Sequence, residues 1–161
     1  MKKIRKNVFE TNSSSVHSIT ISKDGFEPPD LNIIRRKVDG EFGNYIIVPL
    51  GYYGKDRCLY NTQEEKLSYL LTICYHCGSF YDRGDFMESW EFKELETEIC
   101  NYIRQFKKCD GILLDERTIE DSGIDHQTLT DYSSVSDFYR YGMDYKTFVF
   151  NKYVALETDC D

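Results

Sequence analysis

The residues best equipped for chemistry gather near the N-terminus, where Glu10, Thr11, Asn12, Ser13, Ser14, Ser15 and His17 fall close together. Serine hydroxyls beside an imidazole are the parts of a nucleophile and its base, and a carboxylate near the imidazole would orient it. A second histidine, His126, follows Asp125. Glu10, His17, Asp125 and His126 brought together would make a small hydrolase or metal-dependent nuclease. The imidazoles would act as general base, and the acids would orient them or hold a metal. Spacing alone singles out no carboxylate to orient His17. The plainer reading is a turn: hydroxyl and amide side chains of residues 11–15 bond nearby backbone groups. The patch then links an edge strand over residues 4–9 to a strand over 16–22.

The run Lys-Asn-Val-Phe-Glu-Thr-Asn-Ser-Ser-Ser-Val-His-Ser-Ile, from Lys6 to Ile19, resembles the start of a family of small uncharacterised proteins from Gram-positive bacteria and their phages. Gly123-Ile124-Asp125-His126-Gln127 resembles the same family. The resemblance implies a phage or mobile-element setting and no particular reaction, and it carries no catalytic residue over to this chain.

Two further clusters could bind a ligand. Cys74-Tyr75-His76-Cys77 has the spacing of half a zinc site, but no second pair matches it. Helical spacing places Cys74 and Cys77 on an apolar face, where cysteine acts as a small hydrophobe. No metal and no cofactor are therefore expected. The other cluster is acidic. Asp110, Asp115, Glu116, Glu120, Asp121, Asp125, Asp131, Asp137 and Asp144 share a segment with only Arg117 and Arg140. Nine acids against two bases give −7, nearly the whole net charge of −8. Asp115, Asp125 and His126 could ligate a divalent ion, although the spacing matches no calcium loop. Alternatively the segment is an anionic face that copies the charge of nucleic acid and enters a basic groove, or simply a solvated surface. Tyr132, Tyr139, Tyr141 and Tyr145 lie near the acids and favour an interface. The contact residues expected for a host protein with a basic groove are Asp115, Glu116, Glu120, Asp121, Asp125, Asp131, Tyr132 and Tyr139.

Composition supports that class. A net charge of −8 opposes direct coating of nucleic acid, which requires many lysines and arginines. Hydrophobic content of 40% and aromatic content of 15% point to a folded core. No stretch approaches the roughly 20 apolar residues of a membrane span. No apolar run of signal-peptide length follows the basic start, so a cytoplasmic protein with mainly reduced cysteines is expected. The functional expectation is an acidic, non-enzymatic phage or mobile-element protein. It would inhibit a host nucleic-acid-handling defence protein such as a CRISPR nuclease.

The elements that must position these residues read as one α+β domain over residues 1–161, a mainly antiparallel sheet with two main helices packed on one face. Residues 32–38 and 44–48 flank Asp39-Gly40, a hairpin signal, with a bulge expected near Gly43. Residues 51–60 read as an exposed loop with Tyr52 and Tyr53 as contact residues. Thr62 and Glu65 have capping-box spacing before a helix carrying Leu67, Leu70, Leu71 and Cys74 on one face, with Gly78 as its stop. A second helix is expected over 86–108, capped by Asp85 and Glu88, with Phe92, Leu95, Ile99, Tyr102, Ile103 and Phe106 as its apolar face. Residues 111–114 read as a buried strand, 115–133 as a long loop, and 134–141 as a short helix. Residues 145–150 read as a strand, against which 153–157 could pair.

Overall fold

Thr62 and Glu65 start the helix on which the fold is assembled. Thr62 Oγ1 accepts the Glu65 N–H at 3.2 Å, and Glu65 Oε2 accepts the Thr62 N–H at 3.0 Å. Burial works to raise the Glu65 pKa, but the hydrogen bonds from Thr62 and Asn61 outweigh it and lower the carboxyl below its ordinary value. This computed structural model describes residues 15–20, 25–53, 58–77, 80, 82–124 and 144–160, with backbone only for 15–20, 77 and 157–160. The expected strand over 4–9 and helix over 134–141 lie outside the described residues.

Helix α1 (Gln63–Cys77) is buried around its whole circumference, since every residue from 66 to 74 is buried. The expected one-sided stripe of leucines is thus only part of its contact surface. Its polar residues fasten other segments to it. Ser68 Oγ donates to the Pro49 carbonyl at 2.6 Å and accepts from Tyr53 Oη at 2.7 Å. Thr72 Oγ1 accepts the Gly51 N–H at 3.0 Å, and Gln63 bridges the Pro28 carbonyl and the Asp30 N–H. Lys66, 1% exposed, donates from Nζ to the carbonyls of Asn151 and Val154 at 2.9 and 3.2 Å. Burial lowers its pKa from 10.5 to about 8, while Glu27 opposes the shift.

Five strand pairings join the described strands. Strands β1 (Ser15–Thr20), β8 (Ala155–Cys160) and β5 (Cys58–Tyr60) form an antiparallel sheet in the order β1-β8-β5. Strands β2 (Ile33–Val38), β3 (Glu41–Val48) and β6 (Gly111–Leu114) form a second, mixed sheet, β2 antiparallel and β6 parallel to β3. Strands β4 (Tyr52–Tyr53) and β7 (Gly123–Ile124) make a short parallel pair. The α+β class fits, but antiparallel pairing describes only part of the sheet structure. The β2–β3 turn has two residues, Asp39 and Gly40, both at positive φ, as a type I′ turn requires. Its register runs unbroken from Val38 opposite Glu41 to Ile33 opposite Ile46, so the bulge expected near Gly43 does not occur.

The expected helix over 86–108 is two helices, α2 (Arg83–Glu88) and α3 (Trp90–Ile103). Ser89 divides them: its N–H closes α2 on the Phe86 carbonyl, and its side chain accepts the Phe92 N–H to open α3. Asp82, rather than Asp85, caps α2. Phe106 lies beyond α3 and is exposed. Residues 145–150, expected as a strand, form a helix, α4 (Tyr145–Phe150). Asp144 accepts the Thr147 N–H at 2.6 Å and starts it. Tyr145, Phe148, Val149 and Phe150 are buried on α4, and helices α1, α3 and α4 contact one another. Residues 155–160 pair with β1 and β5 instead of turning back on residues 145–150.

Inside this core, Cys100 and Cys109 stand 3.6 Å apart, sulfur to sulfur, as free thiols. Cys109 donates to the Gly111 carbonyl at 3.7 Å, so its sulfur accepts from Cys100. This contact and burial push the Cys100 thiol up, and the same contact lowers Cys109. A thiol reagent should label half-buried Cys58 in the folded protein but reach Cys74, Cys100 and Cys109 only on unfolding. Mass mapping of labelled peptides checks this. Equal labelling of all four without denaturant would contradict the packing.

Candidate functional site

The acidic segment begins as a strap tied to the end of β3 and the residues that follow it. The Asp115 N–H donates to the Val48 carbonyl at 2.8 Å, and Thr118 Oγ1 accepts the Leu50 N–H at 2.8 Å. The Gly123 N–H donates to the Gly51 carbonyl at 3.0 Å. A 3₁₀ turn, Glu116–Thr118, and strand β7 lie between these ties, so residues 115–124 are ordered by pairing rather than looped out.

Six acids of the segment are described, and four serve the fold. Asp110 Oδ2 accepts the Asn44 N–H at 2.8 Å, fixing the start of the β3–β6 pairing, and Asp144 caps α4. Asp115 accepts from Nε and Nη2 of Arg117 at 2.9 and 2.6 Å, which holds its carboxyl down at about 2. Glu116 pairs with Arg83. Glu120 and Asp121 differ: both are exposed, and neither has an ion-pair partner among the described residues. Among the described acids of the expected anionic face, Glu120 and Asp121 are thus the two without an ion-pair partner.

Tyr52 meets the same strap at Gly123. Its pairing with Gly123 sets it against the strap, and it is 54% exposed. A β-carbon on Gly123 would come within 2.9 Å of the Tyr52 ring, which would then have to swing aside. Tyr53, also expected as a contact residue, points the other way. It is buried with its hydroxyl on Ser68, and burial pushes its pKa up to about 12.

His76, near the end of α1, reaches the same strap, with Nε2 2.8 Å from Ser122 Oγ. The distance is that of a serine–histidine pair, but the protons run the wrong way for a nucleophile. Ser122 donates its hydroxyl proton to the Ile119 carbonyl at 2.7 Å, so the imidazole must donate to the serine oxygen. A catalytic base has to accept that proton. Desolvation lowers the His76 pKa below its ordinary value, leaving the ring neutral at pH 7. The pair tethers the strap to α1.

The hydrolase constellation expected from sequence falls mostly beyond view. Glu10, Asp125 and His126 lie outside the described residues, and His17 is placed only by its backbone, opposite Thr158 in the β1–β8 pairing. Asp131, Tyr132 and Tyr139 also lie outside. Among the described residues, no three His, Cys, Asp or Glu side chains gather as a metal site, and no helix is long and apolar enough to cross a membrane.

A cleft of about 630 Å³ that sequence reading did not anticipate lies on the second sheet. Register partners share a face, so Ile34 and Arg36 of β2, Ile47 of β3 and Leu113 of β6 project together, opposite the core-facing Ile46, Val48, Ile112 and Leu114. Lys37, Val38, Arg83, Leu114, Asp115, Glu116 and Arg117 complete its lining. The only sequence trace was the Ile-Ile-Arg-Arg-Lys-Val pattern of β2. That pattern reads equally as a charged edge strand guarding against intermolecular pairing. Comparison with protein-family models, curated proteins and solved structures gives no match.

Proposed function

We propose that this is an acidic, non-enzymatic binding protein of phage or mobile-element origin. It engages a basic groove on a host nucleic-acid-handling defence protein, in the manner of an inhibitor of a CRISPR nuclease. The observation that carries the contact surface is the pair of exposed carboxylates, Glu120 and Asp121, without an ion-pair partner among the described residues, on a strap fastened at several points and met at Gly123 by exposed Tyr52. A rigid carrier limits the entropy lost on binding, and an aromatic beside charges supplies buried area as well as steering. The phage setting rests on the N-terminal resemblance. The remainder of the acidic segment, with Asp125, Asp131, Tyr132 and Tyr139, extends the proposed surface, and Asp115 and Glu116 contribute to it less because Arg117 and Arg83 neutralise them.

Affinity capture from a host lysate at low salt tests this. The native protein should retain a nucleic-acid-handling protein that a Glu120→Gln, Asp121→Asn, Tyr52→Ala variant loses while remaining folded. Equal retention by both would remove this surface from the proposal.

A further inference from the structure

The cleft on the β2-β3-β6 sheet has chemistry unlike that of the acidic strap. Its floor is apolar, made by half-buried Ile34, Ile47 and Leu113, where a sheet face turned to water would carry polar residues. Its volume falls in the range of small-molecule pockets, roughly 300–1,000 Å³. Three guanidinium groups stand along it. Arg36 is exposed and has no carboxylate in ion-pair range among the described residues. Arg83 pairs with Glu116, yet its Nε is buried without a hydrogen-bond partner among the described residues. Arg117 is gripped through Nε and Nη2 by Asp115, which leaves Nη1 free of that pairing.

We propose that this cleft binds a phosphate-bearing small molecule of mononucleotide size. Arg36, Arg83 and Arg117 hold the phosphate, and Ile34, Ile47 and Leu113 seat the flat apolar part. Charge complementarity selects the anion. Guanidinium forks match phosphate oxygens in pairs, and a buried, unsatisfied Nε marks an unmade bond. Glu116 occupies Arg83 in the free protein, but its side chain is 70% exposed, and an exposed pair of this kind exchanges easily for a dianion. Asp115 stays in place as the residue that positions Arg117.

Calorimetric titration of the full chain at low salt with adenosine monophosphate, inorganic phosphate and adenosine tests both halves of the site. Adenosine monophosphate should bind saturably, and either fragment at least about tenfold more weakly, since each uses half of the contacts. Arg36→Gln and Arg83→Gln should each weaken adenosine monophosphate about tenfold or more, with unchanged circular dichroism. Absence of binding, or binding undiminished in the folded double variant, would overturn the proposal. Phosphate binding as tightly as the nucleotide would overturn the apolar seat.

Discussion

Between about pH 8 and pH 10.5 the native protein should gain stability relative to a Lys66→Met variant. Lys66 is 1% exposed, and its partners are two carbonyls rather than a carboxylate. Burial lowers its folded-state pKa to about 8 from 10.5. In that window the unfolded chain binds the proton more tightly than the folded one, so stability rises with pH. Below the window the full cost of burying the charge is present, and above it that cost is gone. A shift of this size corresponds to roughly 3 kcal/mol across the window. The variant lacks the ionisable group and should show no such rise. Tyr53 opposes the trend from about pH 10, its ordinary value, up to about 12, where the folded protein ionises it, and both proteins share that contribution. Denaturant unfolding of both proteins at about pH 7.5 and 9.5 reads the difference. Parallel profiles would mean that Lys66 does not carry its charge into the core.

Phe148→Ala should destabilise the protein by about 3–5 kcal/mol, the usual result of emptying a buried aromatic site. Phe148 is fully buried on α4, with its ring centroid 6.2 Å from that of Tyr69 on α1. Tyr153, two residues beyond α4's cap and 40% exposed, serves as the control: Tyr153→Ala should stay within about 0.5 kcal/mol. Comparable small effects at both positions would contradict the packing of α4 into the core.

Local chemistry made parts of this fold legible. Thr62 and Glu65 announced α1 because a capping box acts within one turn, and Asp39-Gly40 announced the hairpin because positive φ selects its residues. Residues 145–150 misled because Tyr, Thr, Phe and Val have strand propensity. Asp144 as cap and burial against α1 and α3 override it. Ser89 looked like a helix-interior residue, yet its side chain serves as a cap. Ser68, Thr72 and Lys66 look like a solvent face, and their partners, at Pro49, Gly51 and residues 151–154, become visible only in three dimensions. The candidate surfaces follow the same rule. The negative charge of the 110–144 segment is plain from the sequence. That Asp115 and Glu116 are engaged by arginines while Glu120 and Asp121 have no ion-pair partner among the described residues depends on side-chain placement. Arg36 and Arg83 share a cleft only because the chain folds back on itself.

The most direct test of the acidic contact surface is the association rate with the captured partner, measured as ionic strength rises, for the native protein and for a Glu120→Gln, Asp121→Asn variant. Exposed charges are screened beyond about 10 Å at 0.1 M salt, so steering by these carboxylates should fade over that range. The account predicts a native association rate that falls steeply with salt and a variant that associates more slowly at low salt, with a flatter dependence. Identical rates and identical salt dependence for the two proteins would contradict it.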